Sequence, residues 1–459
     1  MRIFFWVPIG ISILLVTAFN TIVYADTQII DLELTTPADS PEASTIKNAS
    51  DAFTRLDALT REEREQVPGR QELWETFNYV LNQADTNNAD VSAEIEKMYQ
   101  AISPKINSTS TVVSRKISPT ASFKGIGKRL SALRRRAKSQ RFSQRYTLRN
   151  LLPSYIKNNN PNETGGLFDQ RLSGFVTGSA VISKQSDTST ESGFEGNTKQ
   201  ILMGADYRIT NKSFAGAAIS YARGSMDVSN DGGKLDNSAA TLVTYGNYNI
   251  KSNWYIDTTL SFGRRAFELS RNVNFNLSAL NAVNFTAESK PKSQFYGLSV
   301  GTGYDKNWNN GHNISFIANL SYSNSSIDSF TESNANGAPT GFELSIAKQT
   351  INSIQFNTGI AWRQAISTSF GILMPQLSVS WNQEFINESD AVNAAFIADT
   401  NNTDINFKTG NRDQGVLNIA FGISTILPKG ISAFLSYESQ QFVDDYQQYT
   451  IALGARKEF

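Results

Sequence analysis

Acyl and phosphoryl transfer at neutral pH need a base held against a nucleophile, and histidine is the side chain that most often supplies it. This chain has a single histidine, His312, beside Gly311 in a predicted tight turn, with no activated nucleophile next to it. There is no cysteine, which removes thiolate catalysis, thiolate metal sites and disulfide bonds together. Hard cations need clustered carboxylates. The pair Asp444-Asp445 and the acids Asp399 and Asp404 are sparse and read as solvated loop charge. Asp231-Gly232-Gly233 lacks the Lys-Ser/Thr that follows a phosphate-cradling loop, so it reads as a turn. The expectation is a chain with no catalytic residues, no cofactor site and no metal site. What remains is charge and shape.

Lysine plus arginine equal aspartate plus glutamate at 42 each, so the formal net charge is zero. The signs are nevertheless segregated. Residues 26–96 carry Asp31, Asp51, Asp57, Glu62, Glu63, Glu65, Glu72, Glu75, Glu94 and further acids against only Lys47, Arg55, Arg61, Arg64 and Arg70. From Lys97 to Asn162 there is no acid at all. Within that basic zone Ile126, Leu130 and Leu133 place an apolar stripe on a predicted helix from about 125 to 150. Its cations include Lys128, Arg129, Arg134, Arg135, Arg136 and Arg141. Nucleic acid is the usual partner of such a segment, but the N-terminus argues for export. Arg2 precedes an apolar stretch from Ile3 to Phe19, and Val23-Tyr24-Ala25 ends at a plausible cleavage point, so residues 1–25 read as a secretory signal. No nucleic-acid partner is expected.

The elements that carry these charges follow from periodicity. Residues 26 to about 46 are rich in Pro, Ser, Thr and Asp and read as extended. Phe53, Leu56 and Leu59, then Leu73, Phe77, Val80 and Leu81, then Ile95, Met98 and Ile102 recur at helical spacing. Two or three short helices follow, too few for a large core of their own. From about 171 the period becomes two. Twelve strands are predicted, at 171–182, 196–209, 213–226, 236–250, 253–268, 292–307, 312–326, 350–366, 370–386, 414–427, 431–443 and 446–459. Links from odd to even strands tend to be long (183–195, 269–291, 387–413). Links from even to odd strands are short, as in Thr210-Asn211-Lys212 and Pro428-Lys429-Gly430. Sided loop lengths with an even strand count mark a closed antiparallel up-and-down barrel in a membrane, where each backbone N–H and C=O in lipid must find a partner.

Faces can be assigned on the same period. Trp254, Ile256, Thr258, Leu260 and Phe262 share one side of the fifth strand, opposite Tyr255, Asp257, Thr259 and Ser261. The last strand sets Tyr449, Ile451, Leu453 and Ala455, in phase with Phe459, toward lipid. Trp254, Trp362 and Trp381 lie where an interfacial aromatic belt would sit. Pro375 cannot donate to a ladder, and a bulge is expected there. Lumen charges are expected at Asp206, Arg208, Asp257, Arg363, Glu384, Glu438, Arg456 and Glu458. The acidic ones are candidates to pair with the arginines of a pore helix.

The run Gly204 to Ile209 followed by Asn211 to Tyr221 resembles the second and third strands of the autotransporter β-domain of type V secretion. Asn253-Trp254-Tyr255-Ile256-Asp257 resembles its fifth strand, Phe370 to Gln376 with Trp381 and Glu384-Phe385 its ninth, and Leu427-Pro428-Lys429-Gly430 to Tyr437-Glu438 its tenth-to-eleventh turn. The likeness covers about residues 170–459. It implies a monomeric twelve-stranded barrel in a Gram-negative outer membrane, handled by the Sec export system and the barrel-assembly machinery, that lets an N-terminal passenger reach the surface past a pore helix. The implied organisation is a signal at 1–25, a short helical passenger-like region at 26–124, a basic helix and linker at 125–165 and the barrel at 166–459. The N-terminal region would then sit at the cell surface or within the pore, with adhesion or another surface interaction as its job and its ligand unknown. The chain departs from the family pattern in its short, unrepeated passenger, in Lys457 where the family often has Tyr, and in the small Ala455. It also lacks the Gly-Asp-Ser motif of esterase or protease members. The alternative readings are an outer-membrane diffusion channel and, further off, an outer-membrane hydrolase.

Overall fold

In the strand Trp254–Phe275 large residues alternate between two environments. Leu260 and Phe262 are about half exposed (52% and 51%), whereas Tyr255 and Phe267 between and beyond them are at 2% and 1%. The same alternation runs through eleven other long strands of the computed structural model. The model describes residues 41–83, 89–103, 171–188, 192–251, 253–386, 391–399, 405–408, 415–443 and 445–458. In chain order the long strands are β1 Leu172–Gln185, β2 Phe194–Arg208, β3 Ser213–Val228, β4 Gly233–Asn249, β5 Trp254–Phe275 and β6 Lys292–Asn307. They continue with β7 His312–Ile327, β8 Gln349–Gln364, β9 Gly371–Glu384, β10 Gly415–Ile426, β11 Ile431–Gln441 and β12 Tyr446–Glu458. Each pairs antiparallel with its sequence neighbours. β1 pairs with β12 from Ser173↔Glu458 to Gln185↔Tyr446, so the sheet closes on itself without an edge.

The outward face explains the closure. On β6 the outward residues run Tyr296, Leu298, Val300, Thr302, Tyr304, with Lys292 and Gln294 beyond one end and Lys306 beyond the other. Eight rises of ~3.4 Å at a tilt of ~40° make this band about 21 Å tall, close to the hydrocarbon band of an outer-membrane barrel. Aromatic rings mark both borders. Trp254 packs on Tyr304 at 5.4 Å and His312 lies 5.9 Å from Trp362 at the short-turn border. Tyr296 meets Tyr322 at 6.1 Å and Tyr437 meets Tyr449 at 6.3 Å toward the other. Trp254 and Trp381 are exposed and Trp362 partly so, as the belt requires. Tyr449, Ile451 and Leu453 face outward; Phe459 lies outside the described residues.

Two expectations for the strands need correction. At Pro375 there is no bulge. Arg363 pairs with Gln376 and Ile366 with Leu373 in one continuous register, and only the two pairings Gln364–Pro375 and Ala365–Met374 between them are missing. Losing one donor interrupts the ladder without adding a residue. The segment 269–291 is also not a loop. β5 continues to Phe275, and residues 283–289 fold back on it as a hairpin that rises well beyond the lipid-facing band.

Above the barrel, on the long-link side, four short segments (330–331, 344–346, 391–396 and 405–408) form a separate antiparallel sheet. Four helices cover it: α1 Pro41–Asp57, α2 Arg61–Glu65, α3 Arg70–Gln83 and α4 Ala89–Ile102. α1 begins at Pro41, so the extended stretch expected up to residue 46 is helical from there on. Thr60 opens α2 with a capping box, its backbone N–H donating to Glu63 Oε2 at 2.8 Å and its hydroxyl accepting from the Glu63 amide at 3.3 Å.

Candidate functional site: the capped mouth and the lumen

The helices bury their apolar faces on the barrel's own upper structure. Ala52, Leu56, Leu73, Phe77, Val80, Ile95, Met98 and Ile102 share one core with Val273 and Phe275 of β5, with Phe342, Leu344 and Ile346, and with Val392, Phe396 and Ile405. Phe77 meets Phe396 edge-on at 5.8 Å, and Phe275 meets Phe342 at 5.3 Å. Four short helices cannot close a core alone, and the sheet and hairpin supply the missing side.

Polar contacts fix the register of this docking. Arg271, on the β5 extension and 3% exposed, pairs with the buried Glu332 at 2.6 Å. It also donates to the carbonyl of Ala101 in the last turn of α4 at 3.0 Å and to the Phe342 carbonyl at 2.9 Å. Glu332 in turn accepts from the Leu344 amide at 3.0 Å. A cation at a helix C-terminus also meets the negative end of the helix dipole. Arg55 pairs with the buried Asp399, and Arg70 Nε donates to the Ala398 carbonyl at 3.1 Å. Glu94 accepts from the Ser278 amide at 3.0 Å and hydroxyl at 2.5 Å, bonds that hold its carboxyl below the usual carboxylate range. Burial among apolar neighbours pushes the Tyr99 phenol up. At the closest approach two glycines touch. Gly69 has φ +79°, and a Cβ there would lie 2.2 Å from the Gly341 nitrogen, too close for any other residue.

Below the cap the inward face changes character along the barrel axis. At the upper rim Phe194, Met226, Leu235, Phe267, Leu269, Ile327, Ile351 and Tyr446 form a buried inward collar drawn from seven strands. Phe330 packs against both this collar and the cap core, so the two are continuous. Lower down the wall is polar. Asp206 is buried and accepts from Ser173 and from the Tyr245 hydroxyl at 3.2 Å. Asp257 accepts from Asn247 at 2.5 Å. Arg363 donates to Asn313 at 3.1 Å and to Ser315 at 3.0 Å. Arg208 and Glu438 also sit on the inward phase, and Arg456 pairs with Glu458. Glu384 lies at the opposite end of the wall and accepts from Ser353 at 2.6 Å and from the Ile354 amide at 3.0 Å. These charged residues sit on inward-phase positions and spread over both ends of the wall rather than forming one cluster. The basic candidates Lys128, Arg129, Arg134, Arg135, Arg136 and Arg141 lie outside the described residues, as does the signal at 1–25.

Arg271, Glu332, Arg55, Gly69 and Gly341 were not anticipated from sequence, and Asp399, expected as solvated loop charge, is instead buried against Arg55, which neutralises it. One signal was present: the alternation Leu269, Arg271, Val273, Phe275 continues β5 past residue 268 without a break. The long-range pairs carry no local signature.

The sequence from 174 to 438 matches the family model of the autotransporter β-domain, more than half of the chain. The chain belongs to the autotransporter β-domain family. Its fold, the closed twelve-stranded barrel with a short helical N-terminal region, is that of an outer-membrane translocator. Among solved structures it is similar to the translocator domain of the autotransporter NalP from Neisseria meningitidis (14% identity, 64% of this chain and 91% of that one, TM-score 0.48). It is also similar to the β-domain of the Bordetella autotransporter BrkA (15%, 63% and 100%, 0.44) and to the Ralstonia pickettii toluene transporter TbuX (9%, 64% and 91%, 0.40). None of the curated proteins compared matches it. The autotransporter barrel is not itself an enzyme.

Proposed function

We propose that this autotransporter barrel carries its own N-terminal segment across the outer membrane, and that residues 41–103 end the journey docked on the long-link end as a cap. The observation that carries this reading is one of connectivity. α4 ends at Ile102 above the long-link end, while β1 begins at Leu172 at the short-turn end. Residues 104–170 therefore join opposite ends of the barrel. A segment that bears many cations and, to Asn162, no acid is costly to pass through lipid, and the polar lumen is the route we propose for it. The inward carboxylates Asp206 and Asp257 lie on that route. In the family the long-link end is the cell-surface end, so the acidic outer face of α2 and α3 (Glu62, Glu63, Glu65, Glu72 and Glu75) is what the surroundings would meet. A surface interaction, without catalysis, is the role proposed for it.

The chain has no cysteine, so single introduced thiols report sidedness cleanly. Glu72→Cys in α3 should react with a membrane-impermeant maleimide on intact cells. Asn211→Cys, in the β2–β3 turn, should react only after the outer membrane is permeabilised. The reverse pattern, or protection of both positions in intact cells, overturns the proposal.

A further inference from the structure

The outward face of the barrel is not uniform at the long-link border of the lipid band. On β2, β3 and β5 the first outward residue above the last large apolar one is a cation: Lys199 above Ile201, Arg223 above Tyr221 and Arg264 above Phe262. On β6 Lys292 stands two outward positions above Tyr296. All four are exposed, and none forms an ion pair with a described residue. Nearby lysines differ: Lys184 pairs with Glu195, and Lys234 lies 3.5 Å from Asp236. On β7, β8, β9, β11 and β12 the first outward position above the last large apolar one is neutral (Asn324, Asn352, Gln383, Ser439 and Gln447), and beside Lys292 the outward neighbour on β7 is the exposed acid Asp328.

The register makes the grouping specific. Lys199 and Arg223 are direct cross-strand partners, a like-charge juxtaposition that destabilises a sheet unless an anion is shared. Lys292 faces Ala266 and Arg264 faces Gln294, so these two cations are diagonal neighbours, roughly 7–8 Å apart at the backbone. Between the pairs β4 and β5 present only Ser238, Ala240 and Ala266, which leaves a shallow saddle. The pair centres are three strand spacings apart, about 14 Å. Directly below lie Tyr221, Leu242, Phe262 and Tyr296, each about half exposed. Above, Asp236 and Glu268 face each other and bound the patch on the aqueous side.

We propose that this face of β2 to β6 is a binding site for a membrane lipid whose headgroup carries two phosphates, one on Lys199 and Arg223, the other on Arg264 and Lys292, with its acyl chains along Tyr221, Leu242 and Phe262. Arginine grips phosphate bidentately and lysine as a point charge. One phosphate cannot engage both pairs across about 14 Å. The proposal rests on the lipid-facing reading of the band but not on any reading of the cap. Loss of one pair is expected to weaken binding on the order of thirtyfold.

The test uses the full chain in detergent and native mass spectrometry. The probes are a diphosphorylated, multiply acylated glucosamine disaccharide lipid, its monophosphoryl counterpart, phosphatidylglycerol and inorganic phosphate. The wild type should retain the diphosphoryl lipid most tightly, with inorganic phosphate unable to compete at equal concentration. Lys199→Gln/Arg223→Gln and Arg264→Gln/Lys292→Gln should each bind the diphosphoryl lipid about as weakly as the wild type binds the monophosphoryl form. Equal retention of the two glycolipids or of phosphatidylglycerol by the wild type overturns the proposal, and needs no variant to fold. So does wild-type affinity in both double variants. A chain that stays folded and monomeric without detergent would instead refute the membrane reading.

Discussion

Replacing Arg271 by Met should detach the cap and leave the barrel standing. Arg271 lies on β5 seven residues past Arg264, clear of the lipid-facing band. Its loss strands Glu332, 2% exposed, as a buried carboxylate without its cation. Breaking one half of such a pair costs about 3–5 kcal/mol. The carbonyls of Ala101 and Phe342 each lose a donor, at about 1 kcal/mol apiece. Because these groups share one network the terms do not add fully, and about 4–6 kcal/mol is the expected total. At 1.4 kcal/mol per tenfold the undocked population should rise roughly a thousandfold or more. Limited proteolysis of outer-membrane preparations should then cut within α1 to α4 at a far lower protease dose, while the barrel core survives intact. The double variant Arg271→Met/Glu332→Leu should recover much of the protection, since two apolar residues replace a desolvated pair. Unchanged proteolysis in Arg271→Met, or a double variant as labile as the single, would refute this account of the cap.

Gly69→Ala should loosen the same interface by about 1 kcal/mol or more, through positive φ and the contact with Gly341, and should raise hydrogen exchange in α3 while leaving the strands alone. Glu94 has a folded-state pKa below its free value, so its contribution to docking is present above the free pKa and fades as pH falls through the folded one; proteolytic sensitivity of α4 should rise across that acidic window, and Glu94→Gln should flatten the response. Leu260→Arg, in the middle of the outward band, should cost about 2–4 kcal/mol of barrel stability, seen as a lower denaturant midpoint in detergent, whereas Lys306→Arg, an exchange of one cation for another at the exposed border, should be neutral.

The strands were legible because a lipid-facing wall imposes a strict period of two on every one of them. Trp254 to Phe262 and Tyr449 to Leu453 declare their faces residue by residue, and the short turns punctuate them. The helices were legible from Leu73, Phe77 and Val80 for the same reason at a different period. What they pack on was not. Arg271 beside Glu332, or Gly69 against Gly341, are pairs chosen by tertiary contact across long stretches of chain, and neither residue of a pair announces the other. Pro375 shows the intermediate case: its missing donor was readable, but whether the strand would bulge or simply skip a bond depended on the register of β8 beside it.

The hydroxyl of Ser44 in α1 donates to the carbonyl of Asn406, 362 residues later. Residues 41–103 are synthesised long before the surface that completes their core. Residues 41–103 on their own should show no cooperative unfolding transition, a point circular dichroism of the isolated segment would check. On the route proposed above, a segment whose core only the upper barrel completes stays pliable while it travels and turns rigid where it docks.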